Sequence, residues 1–288
     1  LTDEVVNFEL SSGGLVWSGN ARPIPQVRAG FIDFVDIPFT KGWVQIKGEL
    51  AYGKFMDNDF LRDHYNYYNQ YITTDALYHH KSISFRSNPD KPFVVTIGAE
   101  LAAQFGGTKR YYEKGILIDS LTMKSPTRLK DFFKILFPSS GDGQTNEGDQ
   151  AYYYGNHVGQ WNLSAEYRFK DNSSVRGYFE WYFDDASGMG KFNGWDGLWG
   201  LEYKSGKKNW LSNVVLEYLD MTNQSGPLNW CPSDYNDPKL DIEATGADDY
   251  YNNYFYNGWA HYGLSNGTAM AKSLLYNTDG YMRYKHNR

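Results

Sequence analysis

The sequence predicts an all-β fold, an antiparallel up-and-down transmembrane β-barrel with long external loops and one short helix, and three observations carry that prediction. The first is alternation. Trp161, Leu163, Ala165, Tyr167 and Phe169 interleave with Asn162, Ser164, Glu166 and Arg168, so one face of the segment is apolar and the other polar. The second is the order of connections, which alternate short and long along the chain. The third is hydropathy: the mean is −0.62, and no run reaches the roughly 18 apolar residues that a membrane helix needs, whereas barrel strands keep average hydropathy low.

Taken in order, residues 5 to 17 read as a first strand, closed by Ser18 to Pro25, where Pro23 and Pro25 forbid regular pairing. Val27 to Val35 and Trp43 to Phe55 follow, the latter with Val44, Ile46, Leu50 and Tyr52 on one face and Gln45, Lys47 and Glu49 on the other. A tyrosine-rich stretch, 56 to 76, precedes strands at Tyr78 to Arg86 and Phe93 to Leu101. The excursion 103 to 156 contains a helix start at Ser125-Pro126. There Leu129, Phe132, Phe133, Leu136 and Phe137 fall at helical spacing before Pro138, giving a helix of about three turns that is expected to pack into the barrel mouth. Trp161 to Phe169 and Val175 to Phe183 form a hairpin, then come Leu198 to Tyr203, Leu211 to Leu219, a strand near Tyr254 to Tyr262, and a turn at 277 to 280 before Tyr281 to Tyr284.

This gives about ten to twelve strands in one domain, 1–288. Short links fall near 36–41, 87–91, 170–174 and 204–209, long ones near 56–76, 103–156, 184–197 and 220–253. Outer-membrane barrels have short periplasmic turns and long external loops, a rule that Greek-key sandwiches lack. A soluble up-and-down barrel is the competing architecture. On the membrane reading the apolar faces meet outer-membrane lipid, and Gln45, Lys47, Glu49, Glu166, Arg168, Arg176 and Glu180 line the lumen.

Composition narrows the function. With 28 basic and 34 acidic residues the net charge is −6, which, with no basic cluster in the chain, argues against nucleic acid as a partner. The one cysteine, Cys231, excludes an internal disulfide. Asp184 and Asp185, with Asp196 nearby, resemble glycosidase carboxylates only superficially, because that pair needs a fixed separation that sequence neighbours rarely supply. Asp241, Glu243, Asp248 and Asp249 are oxygen ligands of a kind calcium takes, but their spacing fits no known calcium loop, and a solvating role is favoured. Gly263-Leu264-Ser265-Asn266-Gly267 has the spacing of a nucleophile elbow without its strand-turn-helix setting, and reads as a turn. His79 and His80 point to opposite faces of a strand, so no metal is expected there. The reading is therefore non-enzymatic, without cofactor.

Aromatic residues make up 18% of the chain, including 25 Tyr and 9 Trp, and many fall in the long connections. The C–H face of a sugar stacks on such rings while its hydroxyls take amides and carboxylates. Tyr65, Tyr67, Tyr68, Tyr152, Tyr153, Asp184, Asp185, Trp195, Trp230, Tyr250 and Tyr251 are the polysaccharide-binding candidates. Interface anchoring and loop self-packing compete for each ring singly.

Several phrases in order resemble the Wzi family of capsule-assembly outer-membrane proteins. They are Ser18-Gly19-Asn20 with Pro23, Pro25 and Arg28; Gly42-Trp43 with Gly48 and Tyr52-Gly53; His79-His80-Lys81; Gln104-Phe105-Gly106-Gly107; Asp184-Asp185 leading to Asp196-Gly197-Leu198; Gln224-Ser225-Gly226-Pro227; Asn257-Gly258-Trp259; and Asn277 with Asp279-Gly280. The resemblance implies a bacterial outer-membrane lectin that binds capsular or other surface polysaccharide and helps attach it to the cell, alongside other surface-assembly proteins. Family barrels are longer, so the chain is expected to be incomplete at one or both ends. Its tyrosine-rich loops depart from the family pattern, and no particular glycan carries over. A transport pore, or a soluble carbohydrate-active β protein, are the alternatives.

Overall fold

In the computed structural model, which describes residues 6–7, 9–65, 70–151, 153–184, 188–189, 194–207, 210–224, 249–277 and 282, the alternating segments join one antiparallel sheet. Its strands are β1 (Gln26–Asp36), β2 (Val44–Lys54), β3 (Gln70–Ser87) and β4 (Phe93–Glu113); two-residue strands β5 (Ile116–Leu117) and β6 (Met123–Lys124) that pair back on β4; then β7 (Asn156–Arg168), β8 (Ser174–Phe183), β9 (Gly197–Lys204) and β10 (Asn213–Asp220). Each long strand pairs with the next in a meander from β1 to β10, and the sheet is not closed. The chain is all-β in class, with three short α-helices among the described residues: α1 (Asn58–Tyr65), α2 (Leu129–Leu136) and α3 (Glu147–Ala151). No described helix is long and apolar enough to cross a membrane.

The β1–β2, β3–β4, β7–β8 and β9–β10 connections leave from one end of the meander, and the β2–β3, β4–β7 and β8–β9 connections leave from the other. As far as β10 the connections alternate short and long as read from the sequence; of the last expected long one, 220–253, residues 225–248 lie outside the described residues.

Register decides what each face does. Phe85, Ile97, Leu163, Phe179, Trp199 and Tyr218 stand opposite one another across six strands, on one face. That face is apolar yet accessible: Ile83, Ile97, Leu163, Leu201 and Leu216 are between 40 and 69 % exposed. The other face is polar and partly covered.

Two segments of the same chain cover it, residues 6–25 and 249–277. Leu15, Val16, Tyr250, Tyr251, Tyr256 and Trp259 pack against Tyr78, Ala102, Val158, Tyr178, Tyr182 and Leu198 of the wall. The described residues of the expected first strand, 5 to 17, do not form one. Its backbone donors bond to wall side chains instead: Leu15 N–H donates to Glu180 Oε2 (2.9 Å), Val16 N–H to Gln160 Oε1 (3.1 Å) and Ser12 N–H to Glu217 Oε2 (2.7 Å). A segment supplied with acceptors on a polar face needs no neighbouring strand.

The expected strand at 254 to 262 is likewise corrected. It is a series of turns, with only β11 (Ala260–His261) bridged to β12 (Leu264–Ser265), because Tyr256 and Trp259 are both drawn into the interior. Of the proposed strand at 281 to 284 only Met282 lies within the described residues.

Strands β3 and β4 run further than their alternation suggests. At Asp75 and Gly107, both with positive φ, the ladder misses a pair. On one side of that break Ala76 and Tyr78 face the interior; on the other, Thr73 and Lys109 do, with Thr73 Oγ1 donating to Phe255 O and Lys109 Nζ 4.5 Å above the Tyr256 ring. The phase of alternation changes there, which hides the extension from a period-2 reading.

Helix α2 forms where its apolar spacing predicts, though it starts at Leu129, with Arg128 N–H donating back to Asp131 Oδ2 (2.7 Å). It does not enter a mouth. Phe132 and Ile135 pack with Tyr52, Phe105 and Tyr154 on the apolar side of the sheet, opposite the interior segments. Lys81 Nζ donates to the otherwise unpaired carbonyls of Ile135 (3.0 Å) and Leu136 at the helix end.

Candidate functional site at the long-connection end

All seven residues expected to line the lumen stand on the polar face; Glu49 and Glu180 are buried there, whereas Arg168, near the short connections, is exposed. Glu49 accepts from Arg28 Nε (3.1 Å) and lies 3.2 Å from His80 Nδ1, while His80 Nε2 is 2.8 Å from Glu100. Gln45 accepts from Arg86 Nη2 (2.8 Å) and donates to Asp36 (2.9 Å). Lys47 faces the Phe34 ring at 6.0 Å. Towards the short connections, Glu166 with Arg168 and Arg176 with Glu202 line a cavity of about 410 Å³. Glu180 instead serves the Leu15 backbone.

At the long-connection end the interior opens on a tyrosine cluster. Past the break at Asp75, Tyr71 and the facing Tyr111 turn inward, with ring centroids 5.1 Å apart, and Tyr254 lies edge-on to Tyr71 at 5.5 Å. Tyr254 keeps 60 % of its surface exposed. Burial raises its phenol pKa, reinforced by Tyr111 and Tyr71, so the hydroxyl stays protonated as a donor.

Amides fix this cluster from below. Asn257 accepts from Thr73 N–H (3.0 Å) and donates to Thr73 O (2.7 Å), taking the place of a strand partner. Asn253 donates to Asn156 Oδ1 (3.2 Å), and Asn156 donates to Gln104 Oε1 (2.7 Å). Lys109, fully buried, donates to Ser125 Oγ (2.9 Å) and lies 3.5 Å from Asp149, tying the excursion after β4 to the same place. The exposed Tyr254 ring offers the kind of face on which a sugar's C–H groups stack, while the amides beneath it are buried and bonded to the chain itself.

The sequence-derived candidates scatter. Tyr67, Tyr68, Tyr152, Asp185 and Trp230 lie outside the described residues, as do Asp241, Glu243 and Asp248; Tyr65 ends α1, its side chain likewise outside. Tyr153 is half-buried, and half-buried Asp184 lies 3.5 Å from the Tyr182 hydroxyl. Tyr250 and Tyr251 have no exposed ring to offer a ligand. They pack on Tyr182 at 4.6 and 5.2 Å, Tyr251 Oη donates to Leu15 O (2.7 Å), and both belong to the interior core. Trp195 is exposed, but on the apolar face, stacked on Trp181 at 4.8 Å and beside Trp199.

His79 and His80 do point to opposite faces: His79 lies beneath Tyr52 at 4.5 Å, His80 between the two interior glutamates. Ser265 sits in the β11–β12 bridge, not on a strand-to-helix turn. Among the described residues no group of three or more His, Cys, Asp or Glu could hold a metal ion.

Sequence reasoning missed Tyr71, Tyr111, Tyr254 and Asn257 as site residues. Tyr111 stood in a stretch read as an excursion and Tyr254 in one read as a strand. The available signal was the aromatic-amide run Tyr254-Phe255-Tyr256-Asn257 itself. Compared with known proteins, the chain matches no family model, no curated protein and no solved structure.

Proposed function

We propose that this chain forms the wall of an outer-membrane β-barrel with an occupied interior. It acts without catalysis as a lectin-like protein, binding capsular or other surface polysaccharide at its long-connection end and helping hold it at the cell surface. One observation carries the reading: the accessible face of the sheet is apolar, while the polar face carries the chain's own interior segments, which bury Glu49 and Glu180. A soluble sheet buries its apolar face; lipid reverses the preference. Aromatics flank the aliphatic band, with Trp43, Phe93, Tyr167 and Tyr203 towards the short connections and Trp195, Trp199 and Tyr218 towards the long ones, as interfacial girdles do.

The occupied interior favours binding over a transport pore, since Leu15, Val16 and Trp259 are wholly buried within it. The Tyr71–Tyr111–Tyr254 cluster supplies the stacking surface. The phrases that resemble the Wzi family point to the same substrate class. Purified protein in detergent micelles is expected to bind surface polysaccharide from a capsulated strain, with Tyr254→Ala weakening it about tenfold, the scale of losing one aromatic anchor. Planar-bilayer recordings are expected to show no steady conductance. Unchanged binding by Tyr254→Ala would remove the cluster from the site, and an open-pore conductance would replace the lectin reading with transport.

A further inference from the structure

On the apolar face, below the end of α2, a groove of about 520 Å³ opens between Phe31, Ile46, Leu50, Ile83, Ala99 and Leu136. Its floor is the row Gly48–Ile83–Ala99, where two small residues let the wall dip. Lys81 also lines it, with its ammonium drawn to the carbonyls that end α2.

The helix above the groove is apolar on two sides. Phe132 and Ile135 face the wall, while Leu129, Phe133 and Phe137, spaced by four, are each more than half exposed. Beside that stripe run Lys130 and Lys134. Arg128, Lys130 and Lys134 all converge on Asp142 Oδ2, at 2.8, 3.0 and 3.7 Å, and Arg128 also takes Asp131. Three cations thus face two carboxylates, and Lys130 stays more than half exposed. An exposed apolar stripe bordered by lysines is how a helix lies at a lipid–water boundary.

We propose that this groove seats one acyl chain of a lipid whose anionic phosphate headgroup is held by Lys130 and Lys134. The inference rests on the membrane reading of the wall. It goes further in naming a bound lipid: the groove is continuous with the exposed apolar face, and the surplus cation lies within two helical turns of Leu136, which lines it.

The test is reconstitution into phosphatidylcholine vesicles containing phosphatidylglycerol, followed by flotation and by native mass spectrometry of lipid retained after extraction. Wild type is expected to float and to retain one phosphatidylglycerol in preference to phosphatidylcholine. Ala99→Phe, which fills the groove from an outward position, is expected to float yet retain neither lipid. Lys130→Gln with Lys134→Gln is expected to keep acyl retention while losing the headgroup preference, about fivefold for each lysine. Equal retention by wild type and Ala99→Phe, or no headgroup preference in wild type, overturns the proposal and leaves the membrane reading standing. Failure of wild type to float overturns both.

Discussion

Gly200 shows how much of the interior depends on a missing side chain. Tyr178 stands directly opposite it on β8 and lays its ring across the gap; a Cβ at Gly200 would lie 1.9 Å from Tyr178 Cζ. The ring is held there because its hydroxyl donates to Glu217, which also accepts from Ser11 Oγ (2.6 Å) and Ser12 N–H (2.7 Å). Gly200→Ala must displace the ring and loosen the grip on the interior segment, at about 1–3 kcal/mol, the usual cost of overpacking. Urea unfolding in detergent micelles measures it, and an unchanged midpoint would mean the ring has room to move. Glu180 tests the same principle through a hydrogen bond. Its Oε2 accepts from Leu15 N–H in a fully buried setting, so Glu180→Ala leaves a buried donor unpaired and is expected to cost about 1.5–3 kcal/mol. Glu180→Gln retains an acceptor oxygen and should recover most of that loss; if it behaves like alanine, the charge rather than the acceptor matters.

Among the elements, the segment 249–277 is held by a histidine whose tautomer the geometry fixes. Met56 N–H donates to His261 Nε2 (3.2 Å), which leaves Nδ1 to donate to Arg22 O (3.3 Å). Burial pushes the imidazole below its ordinary value of 6.5, against the opposing pull of Asp57, and the Arg22 charge lowers it further. The folded state therefore prefers the neutral ring. Stability from this contact is complete above the unfolded value near 6.5 and declines as pH falls through it towards the lower folded value. Asp57 accepts from Tyr262 N–H (3.0 Å), and burial raises its carboxyl from 3.8, so its own loss comes as pH rises through its folded value. The unfolding midpoint is expected to drop as pH falls below the unfolded value of 6.5, and His261→Gln should flatten that drop, with Asp57→Asn removing the opposing carboxylate contribution. A variant as pH-sensitive as wild type would place the titration elsewhere. The same segment marks the limit of sequence reading. β1, β2, β8 and β9 were legible almost to the residue because each meets one apolar and one polar surroundings along its whole length. Residues 6–25 and 249–277 meet the wall with side chains and backbone alike, so no period survives in them. Tyr250 and Tyr251 looked like loop aromatics because sequence records the ring and not what lies against it. Tyr71 and Tyr111 escaped notice because the break at Asp75 and Gly107 reverses which positions face inward.

At the scale of the molecule, the sheet has an accessible apolar face, a partly covered polar one and, among the described residues, two edges, β1 and β10, that the meander leaves unpaired. In lipid an unpaired edge is untenable, so the membrane reading requires both edges to find partners. It also fixes the sign of a substitution that water and lipid treat oppositely. Leu201 lies mid-strand on β9, between Gly177 and Leu216 in the same row, and is 52 % exposed. Were that face in water, Leu201→Arg would shift stability by no more than about 0.5 kcal/mol, as surface changes do. Facing hydrocarbon, the guanidinium must be drawn from the bilayer interior, and about 2–4 kcal/mol is lost at mid-depth. Ile97→Arg on β4, reached through an independent part of the wall, is expected to lose a similar amount. Urea unfolding from phosphatidylcholine vesicles reads both. Two near-zero values would return the apolar face to water and remove the lipid groove with it, whereas losses of the expected size at both positions would hold only for a wall solvated by lipid on its outer side.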